Sequence, residues 1–148
     1  MAARVFVFAS IAWIALLAIV TGAATGSSLA ALVFRFASHI CHQQPDRTFH
    51  WDAAAWPVCA RCLGLYAAAP AGALIGLLTP SFQMPRIGNF LLLCIAAMPT
   101  LATWIAEHAL GWPFSNLARF IAALPLGAAV AWIVARTLQY TLPDARRG

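Results

Sequence analysis

Four long apolar stretches, separated by short polar segments, dominate the pattern of hydrophobic positions along this chain. They cover residues 5–21, 58–79, 87–110 and 116–140. Each is close to the ~20 residues that a helix needs to cross the hydrocarbon layer of a membrane. Pro99 and Pro125 fall inside the last two stretches, and proline is tolerated in a membrane helix where neighbours satisfy the freed carbonyl. The pattern predicts an all-α, polytopic bundle with four transmembrane helices.

The first apolar stretch has a second interpretation, as a cleaved signal peptide. The small residues of the segment TGAATGSSLAA that follows it are suited to cleavage. The apolar core of a signal peptide is shorter, however, at ~7–15 residues. The length of the stretch therefore favours a retained membrane helix.

A shorter apolar segment lies between the first two stretches. Leu29, Leu32, Val33 and Phe36 recur at helical spacing, and Ser27 or Ser28 is a suitable N-terminal cap. Ten or so residues are too few to span a bilayer. The segment is predicted to be an amphipathic helix that lies at the membrane interface or folds back against the bundle.

Composition supports a membrane protein. Of the 148 residues, 63% are hydrophobic and only 9% are charged, with a mean hydropathy of +0.83. A soluble domain is usually about half apolar and a quarter charged. We find no repeat and no soluble module, so residues 1–148 are predicted to form a single membrane domain. The net charge of +5 suits anionic lipid headgroups as partners, and nothing resembles a nucleic-acid-binding module.

Oligomerisation is left open by the sequence. Gly72 and Gly76 form a GxxxG-like step on the second predicted span. Such steps let helix backbones approach closely. The partner is either another helix of the same chain or a second protomer in a homo-oligomer.

The distribution of charge predicts an orientation in the membrane. All nine basic residues are arginines. With four spans, the side that carries both termini holds Arg4, Arg86, Arg146 and Arg147, with Arg136 near the end of the last span. The other side holds Arg35, Arg47, Arg61 and Arg119 together with Asp46 and Asp52. Arg61 and Arg119 lie just inside apolar stretches and are not counted as ordinary loop charges, which leaves the surplus of basic residues on the side of the termini. Positive charge favours the cytoplasmic side. We therefore expect a multi-pass protein of the inner membrane, with cytoplasmic termini and with the loop 41–57 in the periplasm or exterior.

That loop and the start of the second span concentrate the candidate chemistry. Cys59 and Cys62 form a CxxC motif, and Cys41-His42 lies across the loop. A helix that begins near Pro57, a favoured first-turn residue, would place both sulfurs on one face of its first turns. The positive end of a helix stabilises thiolates. Cys41, Cys59 and Cys62 with His42 or His50 would form a tetrahedral zinc site.

Two alternatives to a metal site remain open. Small cysteines often pack in a core, and this is the expected role of Cys94 in the third span. A CxxC at a helix start is also typical of thiol–disulfide oxidoreductases. In layout, the chain is similar to quinone-linked membrane enzymes that generate disulfides, and would then use Cys59, Cys62 and Cys41 without a metal. Those enzymes need a second cysteine pair, which this loop does not supply.

Charged residues near the span ends are further candidates for the site. Arg61 and Arg119 lie just inside their apolar stretches, and Glu107 and His108 lie near the end of the third. An ionisable residue within a span is a functional candidate whose partner should be named. We predict that Glu107 pairs with Arg61 or Arg119. The alternative is that these side chains extend to the interface and contact water.

Two motifs in this region resemble a family of small prokaryotic membrane proteins, domain-of-unknown-function family 2085. They are CHQQPDRTF, at residues 41–49, and PVCARCLGLYAA, at residues 57–68. The family pattern is CHQ-x-P-x-R-S-F followed by P-x-C-x-R-C-x-G-x-Y, in which Thr48 replaces the usual serine and Leu63 stands where threonine is common. The resemblance implies a site that also includes Gln43, Arg47, Arg61 and Tyr66. It makes His42 a better fourth ligand than His50, which lies outside the motif.

The resemblance extends more weakly through the last two spans. Pro99, Arg119 and Gly127 match positions at which family members often carry these residues. Thr103 stands where an aspartate is expected, and Glu107, one turn later, is the nearest substitute. The family has no established activity. No nucleotide-binding loop, Ser/His/Asp set or H-E-x-x-H motif is present either, so the sequence indicates no substrate and does not decide whether the protein is an enzyme.

Overall fold

The architecture is a bundle of membrane-length helices that carries one small hairpin. The computed structural model describes residues 2–22, 26–52, 54–79 and 84–144, with side chains up to residue 139. The helices are α1 (Ala2–Gly22), α2 (Ser28–Ala37), α3 (Ala60–Leu78), α4 (Arg86–Ala109) and α5 (Asn116–Asp144), and the strands are β1 (Thr48–Trp51) and β2 (Ala54–Cys59). In the described part, α1, α3, α4 and residues 116–139 of α5 are long and apolar enough to cross a membrane. The predicted four-span, all-α fold is confirmed.

Some residues used in the sequence predictions lie outside this description. Arg146 and Arg147 follow the last described residue, and residues 23–25 belong to the small-residue segment after α1. Of the arginines assigned to the terminal side, the structure describes Arg4, at the start of α1, Arg86, at the start of α4, and Arg136, buried in α5. The orientation of the bundle therefore stays a prediction.

Helix α2 packs against the bundle, which is one of its two predicted arrangements. The Ser27 hydroxyl oxygen accepts a hydrogen bond from the N–H of Ala30 at 3.1 Å, which caps the helix. The buried face is formed by the smaller side chains Ala30, Val33 and Ala37. The larger Leu32 and Phe36 are at least 60% exposed. The helix thus packs through its small residues and presents its bulky apolar residues to the surroundings, as suits a membrane interface.

The centre of the bundle is the contact between α3 and α5. A Cβ atom added at Gly64 would clash with the backbone oxygen of Phe120, and one added at Gly72 would clash with that of Ala128. From the other side, a Cβ at Gly127 would meet the backbone of Leu65. The two backbones are therefore in direct contact, as small residues allow in membrane helices. The step formed by Gly72 and Gly76 packs against α5 of the same chain.

Helix α4 lies at the periphery. Its one buried residue is Ala96. The Thr100 hydroxyl donates to the carbonyl oxygen of Ala122 at 2.8 Å and so ties α4 to α5. Cys94 is exposed on this helix, so the expectation that it packs in a core is wrong. Helix α4 is long and apolar enough to cross a membrane. On the lipid-facing side of such a helix, a small apolar residue would lose little by exposure, because lipid tails are themselves apolar.

The hairpin formed by β1 and β2 corrects the predicted start of the second span. The strands pair antiparallel, with His50 opposite Ala55 and Trp51 opposite Ala54. Pro57 lies buried within β2, and α3 begins at Ala60, so the prediction that the helix starts near Pro57 is wrong. Proline lacks an N–H and restricts the preceding residue to extended conformations. In a two-stranded ribbon each strand has a free edge, which accommodates proline.

Candidate metal centre

Three cysteine sulfurs meet at one end of the bundle. Cys41 follows the turn after α2, Cys59 is the N-terminal cap of α3, and Cys62 lies in the first turn of α3. Their Sγ atoms all lie within 4.8 Å of one another. Cys41 is buried, and the other two are partly exposed. Three thiols at this separation can converge on a single metal ion, and this is the predicted set of cysteine ligands.

Gln43 fixes the position of Cys41 relative to α3. Its side-chain Nε2 donates to the backbone oxygens of Phe34 in α2 and Pro57 in β2, at 2.8 Å each. Its backbone adopts a positive φ of 47°, in the left-handed region, directly after Cys41-His42. The Cys41 sulfur in turn accepts a hydrogen bond from the N–H of Cys59 at 3.1 Å. Gln43, predicted as a supporting residue, therefore joins the two segments that supply the cysteines.

The cluster favours ionisation of one thiol. The pKa of Cys59 is lowered to about 5, mainly by a hydrogen bond from the Cys62 thiol. Burial opposes this shift, and smaller contributions that lower the pKa come from the Cys62 backbone N–H, the Cys41 thiol and the Arg61 backbone. The start of a helix stabilises a thiolate in the same sense. The surroundings of Cys59 therefore favour its thiolate, which is the form that binds metals and attacks disulfides.

The histidines lie farther from the sulfurs. His42 is exposed and lines the cavity that also contains the three cysteines. His50 is exposed on β1, opposite Ala55. His39 instead has its Nδ1 2.9 Å from the backbone oxygen of Arg35 at the end of α2. In the part of the chain that the structure describes, no histidine or carboxylate joins the compact group of three sulfurs.

Beside the cysteines lies a buried ion-pair triad. Arg61 Nη2 is 2.7 Å from Glu107 Oε2, and Arg119 Nε is 2.6 Å from Glu107 Oε1. The Glu107 side chain is only 5% exposed. The predicted pairing of Glu107 is confirmed, and it involves both arginines rather than one. The carboxylate connects α4 to the starts of α3 and α5, where uncompensated charge would be unfavourable.

Asn116 extends this network to the hairpin. Its Oδ1 accepts a hydrogen bond from Arg119 Nη1 at 2.7 Å, and its Nδ2 donates to the backbone oxygen of Thr48 at 2.9 Å. The Thr48 hydroxyl, buried in the hairpin, donates to the Gln44 oxygen at 2.7 Å. Asn116 was not among the residues predicted for the site. An amide at the first position of the last span, three residues before the in-span Arg119, is the signal that points to it.

The remaining predicted residues make packing and hydrogen-bond contacts outside the cysteine cluster. Tyr66 packs edge-on against Trp13, with ring centroids 6.2 Å apart. The Thr103 hydroxyl bonds to the backbone oxygen of Thr100 in its own helix at 3.0 Å. Glu107, and not Thr103, therefore supplies the acidic group of α4 to this site. His108 is exposed and stacks on Trp104.

A cavity of about 330 Å³ opens beside the triad. Its walls include the three cysteines together with His42, Arg47, Arg61, Arg119 and Trp104. Groups from the loop, α3, α4 and α5 thus surround one space next to the sulfurs. This arrangement can hold a metal ion on its cysteine wall and can admit a further group from the open side.

Comparison with known proteins places the whole site in one family. A family model described as "Predicted membrane protein (DUF2085)" matches residues 41–133, which include every cysteine, arginine and acidic residue of the site. A protein of Methanothermobacter thermautotrophicus, named "Uncharacterized protein", is 30% identical over 104 residues, which cover 70% of this chain and 91% of that protein. No solved structure matches the chain. The chain belongs to the DUF2085 family of membrane proteins.

Proposed function

We propose that this membrane protein binds one zinc ion through Cys41, Cys59, Cys62 and His42. The observation that carries the proposal is the approach of three sulfurs to within 4.8 Å of one another. Zinc–sulfur bonds of ~2.3 Å in a tetrahedral site place the sulfurs about 3.8 Å apart. A contraction of at most about 1 Å therefore converts the observed cluster into a zinc site.

His42 is the proposed fourth ligand because it lines the same cavity as the sulfurs. It is adjacent to Cys41 and exposed, so its side chain can change rotamer without disturbing packing. His50, on the hairpin strand and outside the cavity lining, is a poorer candidate. Four protein ligands make a closed site of the structural type.

The proposed centre sits at the exterior mouth of the bundle in the inner membrane. Support comes from the triad, because Arg61 and Arg119 are bound to Glu107 and are site residues rather than free loop charges. Discounting them leaves the surplus of basic residues on the side of the termini, where Arg4 and Arg86 begin their helices. That surplus favours cytoplasmic termini.

Elemental analysis of the purified protein in detergent tests the proposal. We expect about one zinc per chain, from the ligand set of a Cys3His site. Replacing Cys41, Cys59 or Cys62 individually with serine should abolish retention of the metal. The matched control is Cys94→Ser, since Cys94 lies exposed on α4 outside the cluster. Protein that is folded and free of metal would refute the proposal.

A second candidate function, thiol–disulfide exchange, is supported by the low pKa of Cys59. Its thiolate lies within 4.8 Å of both other thiols of the cluster. Oxidation of the Cys59 thiolate and the Cys62 thiol to a disulfide would release one proton and two electrons; a membrane quinone would accept the two electrons, and its second proton would come from water. Cys94 does not supply a second cysteine pair, because it lies 13 residues before Glu107 in α4, or about 20 Å along the helix axis. Quinone-dependent formation of one disulfide in metal-free protein would favour this function.

A further inference from the structure

We infer that the cavity beside the cysteines binds the phosphate group of an anionic ligand through Arg47, Arg61 and Arg119. All three arginines line this cavity of about 330 Å³. The inference goes beyond the proposed metal centre and does not depend on it. The metal would bind at the cysteine wall, whereas the anion would occupy the space in front of the arginines.

The charge of the walls favours an anion. Three guanidinium groups face the cavity, and Glu107 neutralises one of their charges while bridging Arg61 and Arg119. A zinc ion bound to three thiolates carries one net negative charge. One positive charge therefore remains at the cavity even when zinc is bound. A phosphodiester, which carries a single negative charge, matches this remainder.

Unused hydrogen-bond donors point in the same direction. The Nε–H of Arg61 is buried and has no hydrogen-bond partner in the described part of the chain. Arg47 makes no hydrogen bond or ion pair through its side chain among the described residues, although it lines the cavity. Arginine donors that are withdrawn from water without an acceptor are unfavourable. An oxyanion in the cavity would provide acceptors for Arg47, which lines it.

The helix ends add a weaker contribution of the same sign. The first turn of α3 forms part of the cavity wall. The positive end of the helix dipole favours anions at such a position. This contribution supplements the arginines and would not define a site alone.

The geometry favours phosphate over carboxylate. The three arginines come from three separate segments, namely the turn Pro45–Arg47, α3 and α5. Donors on separate segments can each bind a different oxygen of a tetrahedral phosphate. A planar carboxylate, in contrast, is best bound by the two parallel N–H groups of a single arginine. Ile40 and Trp104, at the cavity wall, are about half exposed and apolar. The phosphate can therefore belong to a lipid headgroup or to a free phosphate ion.

Binding measurements on the full chain in nonionic detergent test this inference. The probes are inorganic phosphate and the short-chain lipid dihexanoyl phosphatidylglycerol, with dihexanoylglycerol as the control that lacks phosphate. Isothermal titration calorimetry should show saturable binding of at least one phosphate probe and none of the control. Binding of the lipid alone identifies a headgroup site, whereas competition by inorganic phosphate identifies a site for the free ion.

Variants assign the binding to the cavity. Arg47→Gln should weaken binding about tenfold, the effect of losing a hydrogen bond to a charged group. Arg47→Lys should weaken it less, because it keeps the charge but loses the planar fork. Arg35→Gln, an exposed arginine on α2, is the matched control and should bind like the wild type. Zinc measured on the same samples separates this inference from the metal centre. The inference is overturned if the wild type shows no saturable binding, or if both Arg47 variants bind as tightly as it does.

Discussion

At the residue scale, single polar side chains hold separate segments of the chain together. Gln43 joins α2 to β2 through two hydrogen bonds of 2.8 Å, and Glu107 joins α4 to two arginines. Removing one member of a buried ion pair leaves uncompensated charge and costs about 3–5 kcal/mol. The two sets of contacts therefore affect both the stability of the bundle and the placement of the cysteines.

The triad predicts a large effect of removing one negative charge. Glu107→Gln keeps the size of the side chain but leaves Arg61 and Arg119 without a counter-ion. We expect the free energy of unfolding in detergent to fall by roughly 3 kcal/mol. Arg61→Lys should have a smaller but measurable effect, because lysine lacks the planar fork. Asp46→Asn, at an exposed acidic residue, is the control. An equal effect of Glu107→Gln and Asp46→Asn on the unfolding midpoint would contradict the role of the triad.

The fourth ligand gives a second prediction at this scale. His42→Ala should weaken zinc binding by more than about tenfold. Even residues that only hydrogen-bond to a metal ligand contribute about 10–100-fold to metal affinity, and a direct ligand should contribute more. His50→Ala should leave the affinity unchanged, because His50 lies on the hairpin outside the cavity lining. Competition with a chelator of known affinity measures both variants. The reverse order of the two affinities would assign the fourth position to His50.

At the scale of elements, the direct contact of α3 and α5 determines where the site forms. Both helices begin at the same end of the bundle, with Cys59 and Arg61 at the start of α3 and Asn116 and Arg119 in the first turn of α5. Glycines on the contacting faces remove the side chains that would otherwise separate the backbones. The packing of these helices therefore brings the arginines to a common carboxylate.

This packing predicts that replacing a contact glycine even with alanine lowers the stability of the bundle. Gly72→Ala places a methyl group against the backbone of Ala128 and must push the helices apart. We expect a loss of about 1–3 kcal/mol of stability, as for other overpacked cores. Gly88→Ala on α4 is the control, because the nearest atom to its added Cβ is at 3.5 Å and alanine favours helix. Unfolding midpoints that fall equally in the two variants would show that α3 and α5 do not touch in this way.

The elements differ in how far the sequence predicts them. The four spans follow from the lengths of apolar stretches, because a helix that crosses lipid needs a nearly uninterrupted apolar run. The hairpin was not predicted, since its strands are short and Pro57 is suited to both a helix start and an edge strand. The cysteines and Glu107 were identified as site residues by their type and position. The contacts made by Gln43 and Asn116 depend on tertiary packing, which spacing along the chain does not encode.

At the scale of the whole molecule, the account predicts which side of the membrane carries the site. The hairpin lies between α2 and α3, so it should face the exterior if the termini face the cytoplasm. A reporter enzyme that is active only after export should be inactive when fused after Gly148. The same reporter inserted at the hairpin turn after Asp52 should be active. Activity of the C-terminal fusion would reverse the orientation and place the cysteines in the cytoplasm.

The three clustered cysteines are proposed to hold a metal ion, and the accessibility of their thiols to an alkylating reagent tests this proposal. The measurement uses the Cys94→Ser variant, which leaves only the cysteines of the cluster. Thiolates bound to zinc are protected from alkylation until the metal is removed, whereas a disulfide is protected until it is reduced. The account predicts that a chelator alone exposes Cys41, Cys59 and Cys62 together, with release of zinc. Thiols that stay blocked after chelation, and of which two appear only after a reductant, would contradict it.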